Sequence, residues 1–261
     1  LQFLVLDEAD RMLDMGFQDD INKILQTLPP KRQNLLFSAT MPQKIRLLAK
    51  KILHEPVEIN IAISKPPEKI IQKAFVVYEQ QKLPLIKKLL KETPYKNALI
   101  FCSRKQTVKQ LTRELKHGGF TIAEIHSDLE QAERESVLSA FTAGRIPVLV
   151  ATDILSRGID IDTIDVVINY DVPGDGEDYV HRIGRTARAE ADGAAFTLIG
   201  EKEQNKFASI EQLLEKEVEK APVPNELGPA PAYHPRTRTG HTGNRRPPKK
   251  FHRSSPDRKR K

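Results

Sequence analysis

The chain has 261 residues, 39% of them hydrophobic and 30% charged, with one cysteine and a formal net charge of +7. That length allows one large or two modest domains with ample core, and the lone Cys102 excludes an internal disulfide and fits a reducing compartment. No run approaches the roughly 18 apolar residues of a membrane span and no basic-then-apolar leader opens the chain, so a cytoplasmic protein with no membrane partner is expected.

The charge is uneven. Residues 235–261 carry eleven Lys or Arg and one acid, a net of +10, which leaves about −3 for the rest of a chain whose total is +7. The folded body is therefore mildly acidic and the basic character sits in the tail. A chain that opens on Leu1, just ahead of a strand, is expected to be the later part of something longer.

The first element is Phe3-Leu4-Val5-Leu6, an unbroken apolar run that predicts a parallel strand buried on both faces. Asp7-Glu8-Ala9-Asp10 follows at the strand's carboxyl end, where ligands sit in open α/β sheets. Alone, such a cluster is more often a solvated acidic turn. Asn22–Leu28 closes an amphipathic helix at Pro29-Pro30. Gln33–Phe37 predicts a second strand ending at Ser38-Ala39-Thr40, helix 42–54 begins near Pro42, and Val57–Ala62 reads as a short strand. Residues 63–69 hold a Pro pair and no apolar period, which predicts a linker.

A second βα series follows. Strands are predicted at 73–79, 97–102, 120–125, 147–152, 165–170 and 194–199. Between them, Val108, Leu111, Thr112 and Leu115 fall on one helical stripe, as do Val137, Leu138 and Phe141. Alternating units of this length give a parallel sheet covered by helices. A helix over 201–217 follows the last strand. Beyond Lys220 eight of the eighteen prolines lie in 222–256, so 221–261 is expected to be a disordered basic tail.

Four motifs stand in register: Asp7-Glu8-Ala9-Asp10, Ser38-Ala39-Thr40, Ala151-Thr152-Asp153 with Ser156-Arg157-Gly158-Ile159-Asp160, and His181-Arg182-Ile183-Gly184-Arg185-Thr186-Ala187-Arg188. Together they resemble the DEAD-box ATP-dependent RNA helicases. The Leu13–Phe17 stretch and the tail are similar to the bacterial RhlE-like branch. The resemblance implies an α/β fold of tandem RecA-like parallel sheets flanked by helices. Residues 1–62 would be the carboxyl-terminal part of an incomplete first domain, 63–69 the linker, 70–205 the second domain and 206–220 a terminal helix.

The same resemblance implies roles. Asp7 would hold Mg²⁺ through water, and Glu8 would orient and deprotonate the attacking water. Arg185 and Arg188, three apart, would reach the γ-phosphate as arginine fingers, and Asp160 would bond the ATP ribose. Asp10, Ser38, Thr40 and His181 would couple the domains. Ser38 and Thr40 also read as simple helix caps ahead of Pro42, and a lone His reads as structural. Arg134, in Gln131-Ala132-Glu133-Arg134, and Thr152 and Gly158 would contact RNA backbone, structured or ribosomal RNA being plausible targets.

Departures are present. His126-Ser127-Asp128 replaces the usual His-Gly-Asp, Ala187 stands for a usual Gly, and Phe101–Lys105 lacks the common Thr-Lys pair. No G-x-x-x-x-G-K-[ST] phosphate loop occurs in the 261 residues, so this chain alone is expected not to turn over ATP appreciably. A non-catalytic RNA-binding module is the second reading and a related DNA helicase the third. The acid Glu8 and paired arginines favour an RNA-stimulated ATPase.

Overall fold

The computed structural model describes residues 1–60, 70–153, 164–186 and 193–235. The predicted linker 63–69, the cationic segment 236–261 and three predicted site residues, Gly158, Asp160 and Arg188, lie outside the described residues.

The first unit is small. Strand β1 (Phe3–Leu6) pairs in parallel with β2 (Gln33–Leu36). Helices α1 (Ala9–Asp14), α2 (Gln18–Thr27) and α3 (Gln43–Ile52) pack on one side, burying Ala9, Leu13, Ile21, Ile45, Leu48 and Ile52 against Leu6 and Leu36. The expectation of two buried faces fails for β1: Phe3 and Val5 are 58% and 55% exposed. An unbroken apolar run encodes cover on both sides, and α1–α3 supply it on only one. Val57–Asn60 forms no strand among the described residues, where Val57 and Ile59 stand 88% and 79% exposed, and residues 61–62 lie outside the described residues.

The second unit is a seven-stranded sheet in the order β5-β6-β4-β7-β8-β3-β9, every pairing parallel. Its strands are β3 (Ile70–Val77), β4 (Ala98–Phe101), β5 (Ile122–Ile125), β6 (Val148–Ala151), β7 (Val166–Asn169), β8 (Gly193–Gly200) and β9 (Glu219–Lys220). Alternate residues serve opposite faces, as a period of two requires. Phe75, Val77, Ala98 and Ile100 join the core under α4 (Glu79–Glu92) and α5 (Lys105–His117). Ala74, Val76, Leu99 and Phe101 join the core under α6 (Gln131–Thr142), α7 (Gly176–Ile183) and α8 (Gln204–Leu214). Both faces are covered, so strands β4, β6 and β7 are buried at every position.

The carboxyl-terminal boundaries differ from the sequence expectation. Helix α8 stops at Leu214 rather than running to 217 or 220, because Glu215 takes a left-handed conformation (φ 52°). The chain then adds β9 to the sheet edge. Residues 221–235 are not a free tail. Their prolines remove N–H donors but leave carbonyls, and two buried glutamines satisfy these. Gln81 Nε2 donates to Leu227 O at 2.8 Å and Pro229 O at 3.0 Å. Gln204 donates to Ala232 O at 2.9 Å and accepts from His234 N at 2.6 Å. Val223 and Leu227 pack on the α4 side and Tyr233 on the α8 side. This strap therefore crosses the carboxyl edge of the sheet, where α4 and α8 begin.

Candidate functional site

At the end of β1 the chain turns sharply. Glu8 is a non-glycine residue in the left-handed region (φ 49°, ψ 46°), a conformation that costs of order 1 kcal/mol or more. The turn lets Ala9 N donate to Phe37 O at 3.0 Å, which binds the start of α1 to the end of β2. It also directs Asp10 inward, to 6% exposure.

Asp10 closes a polar ring across the two strand ends. Its Oδ2 accepts the backbone N–H and the hydroxyl of Thr40, both at 2.9 Å, and its Oδ1 accepts Arg11 N at 3.0 Å. Asp10 N donates to Ser38 Oγ at 3.2 Å, and Ser38 Oγ donates to Thr40 O at 2.7 Å. Burial pushes the Asp10 carboxyl up, but the hydrogen bonds from Thr40 and Arg11 outweigh it and hold the group below its usual range. The helix-capping alternative is not what forms: α3 has Pro42 at its N-cap and no side-chain cap.

Asp7 and Glu8 stay at the surface, with Glu8 N donating to Asp7 Oδ1 at 2.9 Å. They line a cavity of about 720 Å³ together with Ser38 and, from α7, Glu177, Val180 and His181. The cavity thus joins the two units. A second link lies beside it: Arg11 Nη1 is 3.7 Å from Asp178 Oδ1, also on α7. The structure brings Asp7, Glu8, Ser38 and His181 to one cavity. Arg185 is not among its walls; it follows α7, and its Nε donates back to His181 O at 3.3 Å.

Among the described residues no group of three or more His, Cys, Asp or Glu side chains forms a metal site. A lone exposed carboxylate such as Asp7 fits Mg²⁺, which keeps most of its waters and takes one or two carboxylates plus substrate phosphates.

Thr152 and Arg134 lie at the carboxyl edge of the large sheet. Thr152 follows β6 and its N donates to Ile125 O at 3.3 Å, so it adjoins the β5–α6 connection that leads to Arg134. Thr152 Oγ1 and Arg134 Nε are buried without a hydrogen-bond partner. Such orphan groups are uncommon in folded proteins.

Sequence reasoning missed a buried ionic group behind this edge. Arg182 is fully buried; its Nε donates to Asp153 Oδ1 at 2.7 Å, its Nη2 lies 2.6 Å from the same oxygen, and its Nη1 donates to Asn169 Oδ1 at 3.2 Å and Asp171 O at 3.1 Å. Lys82, 3% exposed, lies 3.1 Å from Glu79, 3.7 Å from Asp171 and 3.7 Å from Glu203, with Tyr170 beneath it. Burial lowers the Lys82 pKa, but Glu203, Glu79 and Asp171 together raise it overall. The available signal was Arg182 and Asn169 interrupting otherwise apolar patterns.

Comparison with known proteins places the chain in a family. The family model described as DEAD/DEAH box helicase matches residues 1–48, and that described as Helicase conserved C-terminal domain matches 81–190. The ATP-dependent RNA helicase CshA of Listeria monocytogenes is 43% identical over 225 residues, covering 86% of this chain. The chain spans 43% of that relative's length. Among solved structures, S. cerevisiae Dbp5 bound to RNA and ADP BeF3 superposes with a TM-score of 0.77 at 32% identity, over 85% of this chain and 60% of that one. The E. coli DEAD-box protein SrmB, bound to regulator of ribonuclease activity A, gives a TM-score of 0.56 at 31% identity, over 62% of this chain and 96% of that one. The chain belongs to the DEAD-box helicase family, and its two parallel sheets flanked by helices are the tandem RecA-like architecture of those neighbours.

Proposed function

We propose that the protein carrying this chain is an RNA-stimulated ATPase that couples ATP hydrolysis to local unwinding of RNA duplexes. The observation that carries the reading is the cavity that places Asp7 and Glu8 opposite His181, with the Asp10–Thr40–Ser38 ring behind. Phosphoryl transfer needs positioning and charge neutralisation more than covalent help. Glu8 takes a proton from a water whose oxygen attacks the γ-phosphorus, and ADP departs. Asp7 would hold Mg²⁺, which would supply neutralisation of the phosphate charge. Arg185 and Arg188 stabilise the developing charge, Asp160 bonds the ribose, and His181 with Asp10, Ser38 and Thr40 couples the cleft to the second unit.

RNA is the polymer we assign, with Arg134, Thr152 and Gly158 on its backbone. The support is the pair of orphan donors at the carboxyl edge and the RNA held by S. cerevisiae Dbp5 in its solved complex. Backbone contacts carry little sequence information, so structured or ribosomal RNA both fit. We divide the protein at 63–69, which falls between the two family matches. Leu13–Phe17 and the basic tail support the RhlE-like branch, and the single buried Cys102 supports a cytoplasmic location.

The test is phosphate release by the product of the full reading frame that contains this chain. RNA should stimulate release, and Glu8→Gln should abolish the stimulation by about 10²-fold or more while RNA binding persists. Stimulation that survives Glu8→Gln would overturn the role given to Glu8, and no RNA-stimulated release by the unaltered protein would return the chain to the alternative of a non-catalytic RNA-binding module.

A further inference from the structure

We propose that Asp128 is a built-in competitor of RNA: its carboxylate occupies a phosphate seat formed by Lys105 and Lys109 on α5, and an RNA phosphate takes that seat by displacing it. This rests on the RNA reading above.

The seat begins with a helix that carries its charges at the wrong end. Cations are unfavourable at a helix amino terminus, where the dipole and the free N–H groups favour anions. Yet α5 opens on Lys105 with no acid in its first turn, Arg104 at its N-cap makes no side-chain cap bond, and Lys109 follows one turn later. Residues four apart share a helix face. The amide just ahead of the helix is already used, since Ser103 N donates to Asp171 Oδ2 at 2.7 Å. The two ammonium groups are therefore what this end offers to an anion, on side chains that are 49% and 48% exposed.

Asp128 supplies the anion from another element. Lys105 Nζ donates to its Oδ1 at 2.7 Å and Lys109 Nζ donates to its Oδ2 at 2.9 Å. One oxygen for each lysine is an arrangement that the two free oxygens of a phosphodiester reproduce. The hydrogen bonds from Lys105 and then Lys109 hold the Asp128 carboxyl down at about 2, so it competes as a full charge at neutral pH. The turn that presents it is fixed. Asp128 N donates to Nδ1 of the buried His126, and Leu129 N donates to His126 O, both at 3.2 Å. The lysines carry their charges on flexible four-carbon stems. Exchange thus needs two lysines to swing from a fixed carboxylate to a phosphate, with the backbone at rest.

The seat lies on the edge assigned to RNA. Asp128 sits in the β5–α6 connection, between Ile125, whose carbonyl accepts Thr152 N, and the helix that carries Arg134. The acids beside it, Glu130 and Glu133, are taken up by the capping box of α6. Exposed ion pairs are weak. Two of them lower the affinity for a polyanion without closing the edge to it.

The experiment uses the whole 261-residue chain and a fluorescent single-stranded oligouridylate, with binding read by anisotropy. Asp128→Asn keeps the shape and removes the charge. Affinity should rise about 2- to 30-fold, because two exposed ion pairs no longer have to be broken. Lys105→Gln combined with Lys109→Gln should weaken binding, and adding Asp128→Asn to that pair should bring no gain, since nothing is left to release. Asp128→Ser serves if Asp128→Asn does not fold. A gain of the same size without the lysines would reveal plain repulsion and overturn the competitor role. So would unchanged or weaker binding by folded Asp128→Asn, or affinity untouched by removing both lysines. No binding by either the unaltered chain or Asp128→Asn would overturn the RNA reading, and the proposal with it.

Discussion

Asp10 Oδ2 receives both the backbone N–H and the hydroxyl of Thr40, each at 2.9 Å. One carboxylate oxygen thus pins the end of β2 to the start of α1. Thr40→Val removes the hydroxyl and keeps the shape, so the first unit should lose about 1.5–3 kcal/mol, the usual worth of a hydrogen bond to a charged group. Urea unfolding of the two proteins side by side measures it.

The same bonds set a pH dependence. Hydrogen bonds hold the Asp10 carboxyl below its usual value despite burial, so the folded state binds its proton less readily than the unfolded state. The resulting stability is fully present above the unfolded pKa of about 3.9 and is lost as pH falls through the lower folded value. Between pH 6 and pH 2 the wild type should therefore lose more stability than Asp10→Asn, which carries no proton equilibrium there. Equal slopes in urea titrations across that range would refute the assignment.

Cys102 is fully buried, and burial pushes its thiol well above the ordinary range. The thiolate is the reactive form. A disulfide reagent at pH 8 should leave the native chain unmodified for as long as it stays folded, and should titrate one thiol after denaturation.

The carboxyl-terminal region separates into two parts with different consequences. Removing 236–261 should leave thermal unfolding unchanged, since 221–235 keeps the bonds to Gln81 and Gln204. It should weaken RNA binding and flatten its salt dependence, because each phosphate neutralised on a single strand contributes a slope of about −0.7 in log–log form. Removing 221–235 as well strips Val223 and Leu227 from the core under α4 and leaves the Gln81 and Gln204 side-chain amides without their partners, at about 1–3 kcal/mol each. The shorter form should melt earlier. An unaltered salt slope in the first truncation would show that the eleven cations do not touch RNA.

What could be read in advance followed from period and punctuation. The stripe Val108, Leu111, Thr112, Leu115 gave α5, and the unbroken apolar runs gave β4, β6 and β7, because both faces of the large sheet are covered. The same rule misjudged Phe3 and Val5, since an apolar run states what a strand can bury and not what lies beside it. The strap 221–235 was illegible for a related reason. Its proline content reads as unstructured, and the donors that satisfy it, Gln81 and Gln204, are more than a hundred and some thirty residues away in the chain. The Asp10–Thr40 bond was legible only by resemblance. Arg182 was legible only as a charge among apolar positions, since nothing local reveals that Asp153 and Asn169 converge on it.

Arg11 and Asp178 give a last, separable test. Their side chains are 27% and 17% exposed and the charged atoms are 3.7 Å apart, one in each unit. A partly exposed pair of this kind contributes about 0.2–1 kcal/mol, too little to hold the units together alone but enough to bias a cleft. Arg11→Glu turns attraction into repulsion and should widen the cavity that holds Asp7 and His181. Fluorescence transfer between dyes placed on the two units should fall. Combining Arg11→Glu with Asp178→Arg restores opposite charges and should restore transfer, whereas Asp178→Arg alone should lower it. Salt near 1 M, where the screening length is about 3 Å, should compress all four proteins towards one value. If the double reversal behaves as the sum of the two single ones, the pair does not meet in solution.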